Sequence, residues 1–307
     1  MLMNGCFDLK NCRLCARRCG VDRYETNGFC HCGPRPMVAT VCVHKGEEPV
    51  LSGSKGVCNV FFAHCNLQCV YCQNIDISQN NARVHCHCNS LEQVVDRIKE
   101  VLQNSENVLG FVSPSHFAHL IPPIVDMLHS QGLKPIVVYN TNAYDSVEVL
   151  RALEAYVDVY LPDFKYCSPL LSKRYSKAAD YFQKASLAII EMYRQKGSTL
   201  ITTDDGIAQS GLIIRHLMLP GCTADSMDVL QWIAENLSTN VHISLMSQYF
   251  PLDKPLPDSL NRFLSDDEYN RVVDYFYNLG FHRGWIQDLD RQQSYKPDFG
   301  HKEAFER

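Results

Sequence analysis

Between residues 57 and 249 the chain alternates short apolar, β-branched runs with helix-length amphipathic segments, and no other feature narrows its fold as far. The strand-like runs are 57–63, 108–112, 136–139, 157–161, 212–219 and 241–249. Between them, Ser90-Leu91-Glu92-Gln93 reads as a capping box opening a helix to about residue 104, and Asp145-Ser146-Val147-Glu148 caps another. A longer helical region, with Tyr175 and Tyr181 among its aromatic residues, runs to about Lys196, and a further helix is expected near 227–236. Six strands in alternation with helices require a parallel sheet with right-handed crossovers. The fold class is therefore α/β. Polar residues gather where each strand ends, and in barrel-like α/β folds active sites sit on that rim.

The loop leaving the first of these strands is Cys65-Asn66-Leu67-Gln68-Cys69-Val70-Tyr71-Cys72. Iron–sulfur clusters are held by cysteine thiolates and normally take four, so a compact group of three implies a cubane with one iron left for a non-protein ligand. Tyr71, just before the last cysteine, reads either as an aromatic wall for a base or as a loop anchor.

A second cysteine group precedes the alternating region. Residues 1–56 read as a Cys-rich N-terminal lobe, in which Cys12, Cys15, Cys19 and Cys30 have the spacing of a closed four-thiolate site for zinc or a second iron–sulfur cluster. Residues 57–250 form the strand–helix core, and 251–307 a helical extension on it, with Ser265-Asp266-Asp267-Glu268 capping its helix. A segment with Trp285 and Ile286 is expected to cover one edge, and the residues after Gln292 read as a polar tail. The tract His85-Cys86-His87-Cys88 has the look of a metal site, but its polar surroundings read as a loop.

Composition closes off some functions. The 307 residues are 46% hydrophobic and 21% charged, as in ordinary globular enzymes, and a net charge of −5 without a long basic run argues against nucleic-acid binding. No run approaches the roughly 20 apolar residues of a membrane span, and the first residues lack the pattern of a secretory signal. The expectation is a cytoplasmic protein without membrane partners. There, an odd count of 15 cysteines points to metal rather than to disulfides.

At the strand ends, Arg215 and His216 are successive residues of an apolar strand, so one of them must point inward and a charge there needs a partner such as Asp163. Asp163 and Lys165 lie two apart and face the same side, as an ion pair of the rim or as a binding pair for a cation, cofactor or peptide. Asn140 and Asn142 can make a turn or present amides to a ligand. Ser113-Pro114-Ser115-His116 can cap a helix or bind polar groups.

The three-cysteine loop, the six strand–helix units and several phrases resemble the radical S-adenosylmethionine (SAM) superfamily. The phrases are Phe61-Phe62-Ala63-His64-Cys65, Tyr139-Asn140-Thr141-Asn142, Tyr160-Leu161-Pro162-Asp163-Phe164-Lys165 and Arg215-His216-Leu217-Met218-Leu219-Pro220-Gly221. Within it, they and Cys12-Arg13-Leu14-Cys15-Ala16-Arg17-Arg18-Cys19-Gly20-Val21 resemble the group labelled pyruvate-formate-lyase-activating-enzyme-like.

The resemblance implies a partial (β/α)6 barrel in which Cys65, Cys69 and Cys72 hold a 4Fe–4S cluster and SAM chelates the fourth iron. It implies reductive cleavage of SAM to methionine and a 5′-deoxyadenosyl radical, which takes a hydrogen from the substrate. It also implies an electron donor such as flavodoxin or ferredoxin. Tyr71 matches the position that meets adenine, and Asn140 and Asn142 match a ribose or carboxylate contact. Asp163 and Lys165 match an Asp-x-Lys feature of the activating-enzyme-like group, and SAM's carboxylate becomes a second possible partner for Arg215. The family's Gly-Gly-Glu is replaced by Ser113-Pro114-Ser115-His116, which leaves Ser113, Ser115 and His116 as alternative SAM contacts. Three functions follow: an activating enzyme that takes hydrogen from a glycine of a protein partner, a radical SAM oxidoreductase acting on another peptide or small molecule, or a non-catalytic iron–sulfur or zinc protein.

Overall fold

Strands covered on both faces have no solvent side to alternate toward, and they read as continuous apolar runs. Val57–Phe62 is buried at every position, and so is Val108–Val112. The computed structural model describes residues 5–289 together with Pro297 and Phe299, so most of the polar tail expected after Gln292 lies outside the described residues. Among the described residues the strands are β1 (Val38–His44), β2 (Val57–Phe62), β3 (Val108–Val112), β4 (Ile136–Thr141), β5 (Val159–Pro162), β6 (Ile201–Thr202), β7 (Ala208–Leu217), β8 (His242–Met246) and β9 (Gly284–Ile286).

They form one sheet in the order β1-β2-β3-β4-β5-β7-β8-β9, with β6 paired to β7 outside that path. From β2 to β9 along this order every pairing is parallel. The six expected strands are all present, as β2, β3, β4, β5, β7 and β8. Two more extend the sheet beyond them. The stretch with Trp285 and Ile286 is itself an edge strand, parallel to β8, and β1 from the Cys-rich segment adds antiparallel to β2. Gly284 makes the former possible, because a Cβ there would stand 2.0 Å from the Ile243 carbonyl oxygen. The helical region before Lys196 is two helices, Pro169–Ser176 and Tyr181–Lys196, since the first ends on Lys177 in the left-handed conformation (φ 55°).

Side chains alternate across this sheet and sort into two environments. Cys58, Val60, Phe62, Leu109, Phe111, Val137, Tyr139, Tyr160, Leu212, Ile214, Ile243 and Leu245 join the large core under the helices. On the opposite, concave face Val57, Val108, Val138, Val159 and Ile213 make a separate apolar floor. Further along the same face come Asn140, Asp163, Arg215 and Ser244, which line one cavity. A sheet in which β1, β2, β3, β4, β7, β8 and β9, and Asp163 just past β5, all reach one cavity is curled into the expected partial barrel, open between its edge strands.

The expected cap at Ser265 is complete: its hydroxyl accepts from Glu268 N (3.3 Å), and Glu268 accepts from Ser265 N (3.1 Å). Glu268 also accepts from Gly221 N (2.7 Å), which ties the helix Asp266–Asn278 to the turn after β7. Replacing Ser265 with alanine should cost about 1 kcal/mol of unfolding free energy, read from the urea midpoint at unchanged slope. No helix among the described residues is long and apolar enough to cross a membrane.

Candidate active site

β2 ends at Phe62, and the chain turns through His64 in the left-handed conformation (φ 65°) to bring Cys65 over the carboxyl ends of the strands. Polar side chains hold this loop in place. Asn80 accepts from Cys65 N (3.0 Å), Arg17 Nε donates to the Asn66 carbonyl (3.0 Å), and Val70 N donates to the Tyr175 carbonyl (2.8 Å). Cys65, Cys69 and Cys72 are free thiols that line one cavity of about 640 Å3.

Donors already surround two of the sulfurs. Leu67 N and Asn142 Nδ2 each lie 3.4 Å from Cys65 Sγ, and Ser176 Oγ lies 2.9 Å from Cys69 Sγ. Burial pushes both thiols up, Cys69 to about 11 even though the Lys165 ammonium pulls the other way. Among the described residues no three Cys, His, Asp or Glu side chains stand close enough together to hold a single ion as they are. A cubane asks something else, because each thiolate meets its own iron. Three thiols on one loop, with N–H groups aimed at sulfur and open space beside them, fit that group.

The strand-end residues divide into those that reach the cavity and those that do not. Tyr71, Ser113, Asn140, Asn142, Asp163, Lys165 and Arg215 all line it. Tyr71 accepts from the Tyr166 hydroxyl (2.5 Å) and meets the rings of Tyr166 and Tyr249 edge-on, so one aromatic wall is three residues thick. Ser113 turns at φ 51°, with its N–H on the Asn140 carbonyl (2.8 Å).

That turn sends the next residues away from the cavity, which corrects the expectation for Ser115 and His116. Ser115 Oγ pairs with Thr141 Oγ1 (3.2 Å) and His116 Nε2 donates to the Ala63 carbonyl (3.0 Å), both fully inside the fold. Burial, chiefly, pushes His116 down to about 3 and keeps it neutral.

Asn142 is committed to the cysteine loop. Its Nδ2 also donates to Asn66 Oδ1 (2.7 Å), and its Oδ1 accepts from Tyr144 N (3.0 Å). Lys165 Nζ donates to Asp163 Oδ2 at 2.7 Å, so the pair at the end of β5 is formed. Burial works against the ammonium, but Asp163 and the Cys69 and Cys72 thiols raise its pKa overall. Tyr181 secures these strand ends: its hydroxyl lies 2.9 Å from the Asn142 carbonyl and 2.7 Å from that of Asp163, and accepts from Lys165 N.

Arg215 is the inward member of its pair. Its partners are neither Asp163 nor free space but Glu48, at 2.8 and 2.6 Å, and Glu47. Asn59 Nδ2 also donates to Glu47 (2.7 Å), and Gly110 leaves the room, since a Cβ there would stand 2.0 Å from Asn59 Oδ1. His216 points to the helix layer, where it bonds the Phe164 carbonyl (2.7 Å) and Ser226 Oγ (2.9 Å). Glu47 and Glu48 escaped sequence reasoning. The signal was Arg215 itself, a charge in an apolar strand that required an acid, but the acid comes from the distant turn after β1.

The remaining cysteine motifs lie elsewhere. Cys12, Cys15, Cys19 and Cys30 surround a second, small cavity behind the loop 65–72, together with Asn66 and His116. His85-Cys86-His87-Cys88 runs as irregular chain whose last residue bridges to Val38 of β1.

The family model described as "Radical SAM superfamily" matches residues 59–233, more than half of the chain. The protein named "Uncharacterized protein MJ0674" of Methanocaldococcus jannaschii is 34% identical over 282 residues, which cover 88% of this chain and 76% of that one. Among solved structures, histidine-tagged anSMEcpe with bound AdoMet aligns at a TM-score of 0.49 and 14% identity, covering 73% of this chain and 58% of that one. Streptococcus suis SuiB bound to S-adenosylmethionine aligns at 0.47 and 10%, covering 77% and 52%. A domain of pyruvate-formate lyase-activating enzyme from Bacteroides vulgatus aligns at 0.36 and 14%, covering 56% and 93%. The chain thus spans little more than half the length of the first two structures.

Proposed function

Because the chain belongs to the radical SAM superfamily, we propose that it is an enzyme holding a 4Fe–4S cluster at Cys65, Cys69 and Cys72 and binding SAM in the cavity beside them. When bound and reduced, such a cluster supplies the electron that cleaves SAM to methionine and a 5′-deoxyadenosyl radical, which abstracts hydrogen from the substrate. The observation that carries this reading is the set of three free thiols on one strand-end loop, bordering a cavity of about 640 Å3. That volume lies within the roughly 300–1,000 Å3 of small-molecule sites.

The chain's own residues supply orientation and electrostatics. Leu67 N–H and the Asn142 amide donate to Cys65 sulfur and stabilise negative charge there. Lys165, beside Cys69 and Cys72, offsets further negative charge at the same place. Tyr71, Tyr166 and Tyr249 exclude water from one side. Asn140 and Ser113 remain to meet SAM's polar groups, and Asp163, shared with Lys165, faces the same space.

Asn142→Ala removes the amide that bonds both Cys65 and Asn66. The expected result is a loss of about 10–100-fold in SAM cleavage with the cluster iron retained, together with a shifted cluster potential measured by redox titration.

For substrate, the reading we favour is a glycine of a protein partner, with a flavodoxin- or ferredoxin-like donor supplying the electron. Its support is the likeness of Asp163-Phe164-Lys165 and of the N-terminal cysteine segment to the activating-enzyme-like group. Incubation with a candidate partner carrying deuterated glycine tests it: deuterium is expected in 5′-deoxyadenosine, and its absence while SAM is still cleaved would assign the radical to another peptide or small molecule.

A further inference from the structure

The N-terminal segment has almost nothing of its own to hold it together. No described helix or strand precedes Val38, and its local apolar cluster consists of Leu9, Cys12 and Leu14 with Phe7 and Val21 against them. Segments that bury so little usually need a staple. Four free thiols, those of Cys12, Cys15, Cys19 and Cys30, line one small cavity at its centre.

Three of the four, Cys12, Cys15 and Cys30, are buried, and Cys19 is exposed. Gly28 lets the fourth sulfur in, because a Cβ on it would stand 2.7 Å from Cys19 Sγ.

Arg23 brings a buried positive charge to the same cavity. It is 2% exposed, and its guanidinium donates to three carbonyls, of Cys32 (3.1 Å), His116 (2.6 Å) and Gly33 (2.6 Å). No ion pair with a carboxylate forms at it among the described residues. A buried cation calls for a counter-charge, and Arg23 lines the same small cavity as the thiols of Cys12, Cys15, Cys19 and Cys30.

We propose that Cys12, Cys15, Cys19 and Cys30 bind a thiophilic metal centre separate from the one at the loop 65–72, a four-thiolate site whose negative charge Arg23 balances. The site is fastened to the back of that loop. Arg17 Nε donates to the Asn66 carbonyl (3.0 Å), Asn80 Nδ2 to the Phe29 carbonyl (2.7 Å), and His64 Nδ1 to the Cys30 carbonyl (3.0 Å). Metal uptake therefore fixes the ground on which Cys65 stands. The sulfurs are not gathered closely enough to hold a single ion as they are, so they either draw in around zinc or keep the wider setting of an iron–sulfur cluster, two occupants with the same four-thiolate chemistry.

Metal analysis of the full chain, purified without oxygen, tests the site independently of any radical chemistry. The expected result is one zinc per chain, or iron beyond that of a single 4Fe–4S cluster, and loss of that increment alone in Cys12→Ser/Cys15→Ser. Should the variant fail to fold, the wild-type chain still decides. Cys19 is the exposed member of the four, and metal should slow its alkylation by iodoacetamide about tenfold or more relative to chelator-treated protein. Zinc as the increment assigns a structural ion, and iron assigns a second cluster. Absence of both, with Cys19 alkylated equally fast before and after chelation, overturns the proposal and leaves the reading of the loop 65–72 untouched.

Discussion

Replacing Cys69 with alanine is expected to reduce SAM cleavage by more than about 100-fold, beyond the 10–100-fold range of changes that only touch a ligand's neighbour. The variant should also lose the iron of the loop 65–72 while its unfolding midpoint stays close to that of the metal-free wild type. The reason is that backbone and neighbouring side chains anchor the loop without the Cys69 sulfur. Gln68 N donates to the Ser176 carbonyl (3.4 Å), Val70 N to the Tyr175 carbonyl (2.8 Å), and Asn80 accepts from Cys65 N (3.0 Å). Metal analysis and 5′-deoxyadenosine assays check the two halves of this outcome. Retention of both iron and cleavage would remove Cys69 from the ligand set.

Arg215→Met should have the largest effect on stability, a loss of about 3–5 kcal/mol, because it leaves the carboxylates of Glu47 and Glu48 buried without their cation. Adding Glu47→Gln and Glu48→Gln should recover most of that loss, since neutral amides no longer need a counter-charge. Chemical denaturation of the two variants measures both numbers. The pH dependence has a definite sign. Burial raises the Glu47 pKa, but Arg215 and then His44 outweigh it and hold the carboxyl well below its ordinary 4.5. A depressed carboxyl contributes stability above its unfolded value and loses it as the pH falls below about 4.5. That acid-side loss should shrink in Arg215→Met.

How far the sequence revealed the molecule depended on whether a feature was local. The strands β2, β3, β4, β5, β7 and β8 were legible because burial on both faces makes each a short continuous apolar run. Period-two alternation required one of Arg215 and His216 to face inward but did not say which, and the fold puts Arg215 there, with Asn140 and Asp163. The cysteine loop was legible from spacing alone.

What depended on distant partners was not. β9 is three residues long and acquires its identity from β8, and β1 sits in a Cys-rich stretch that has no strand–helix rhythm. Glu47 and Glu48 are an unremarkable acidic pair until Arg215 is folded against them. Ser115 and His116 were offered as cofactor contacts because they stand where the resembling family has Gly-Gly-Glu, but the chain turns at Ser113 (φ 51°) and both lie buried inside the fold. The left-handed residue Lys177, which splits one expected helix into two, left no comparable mark, since lysine is an ordinary helix former.

The central claim is that the cavity beside Cys65, Cys69 and Cys72 binds SAM and that the reconstituted chain cleaves it. Anaerobic incubation of the iron–sulfur-reconstituted wild-type protein with SAM and dithionite, followed by chromatography of the products, tests it directly. The account predicts 5′-deoxyadenosine and methionine in equal amounts, dependent on the reductant and absent from Cys69→Ala. SAM recovered intact from a protein that holds its full complement of iron would contradict it.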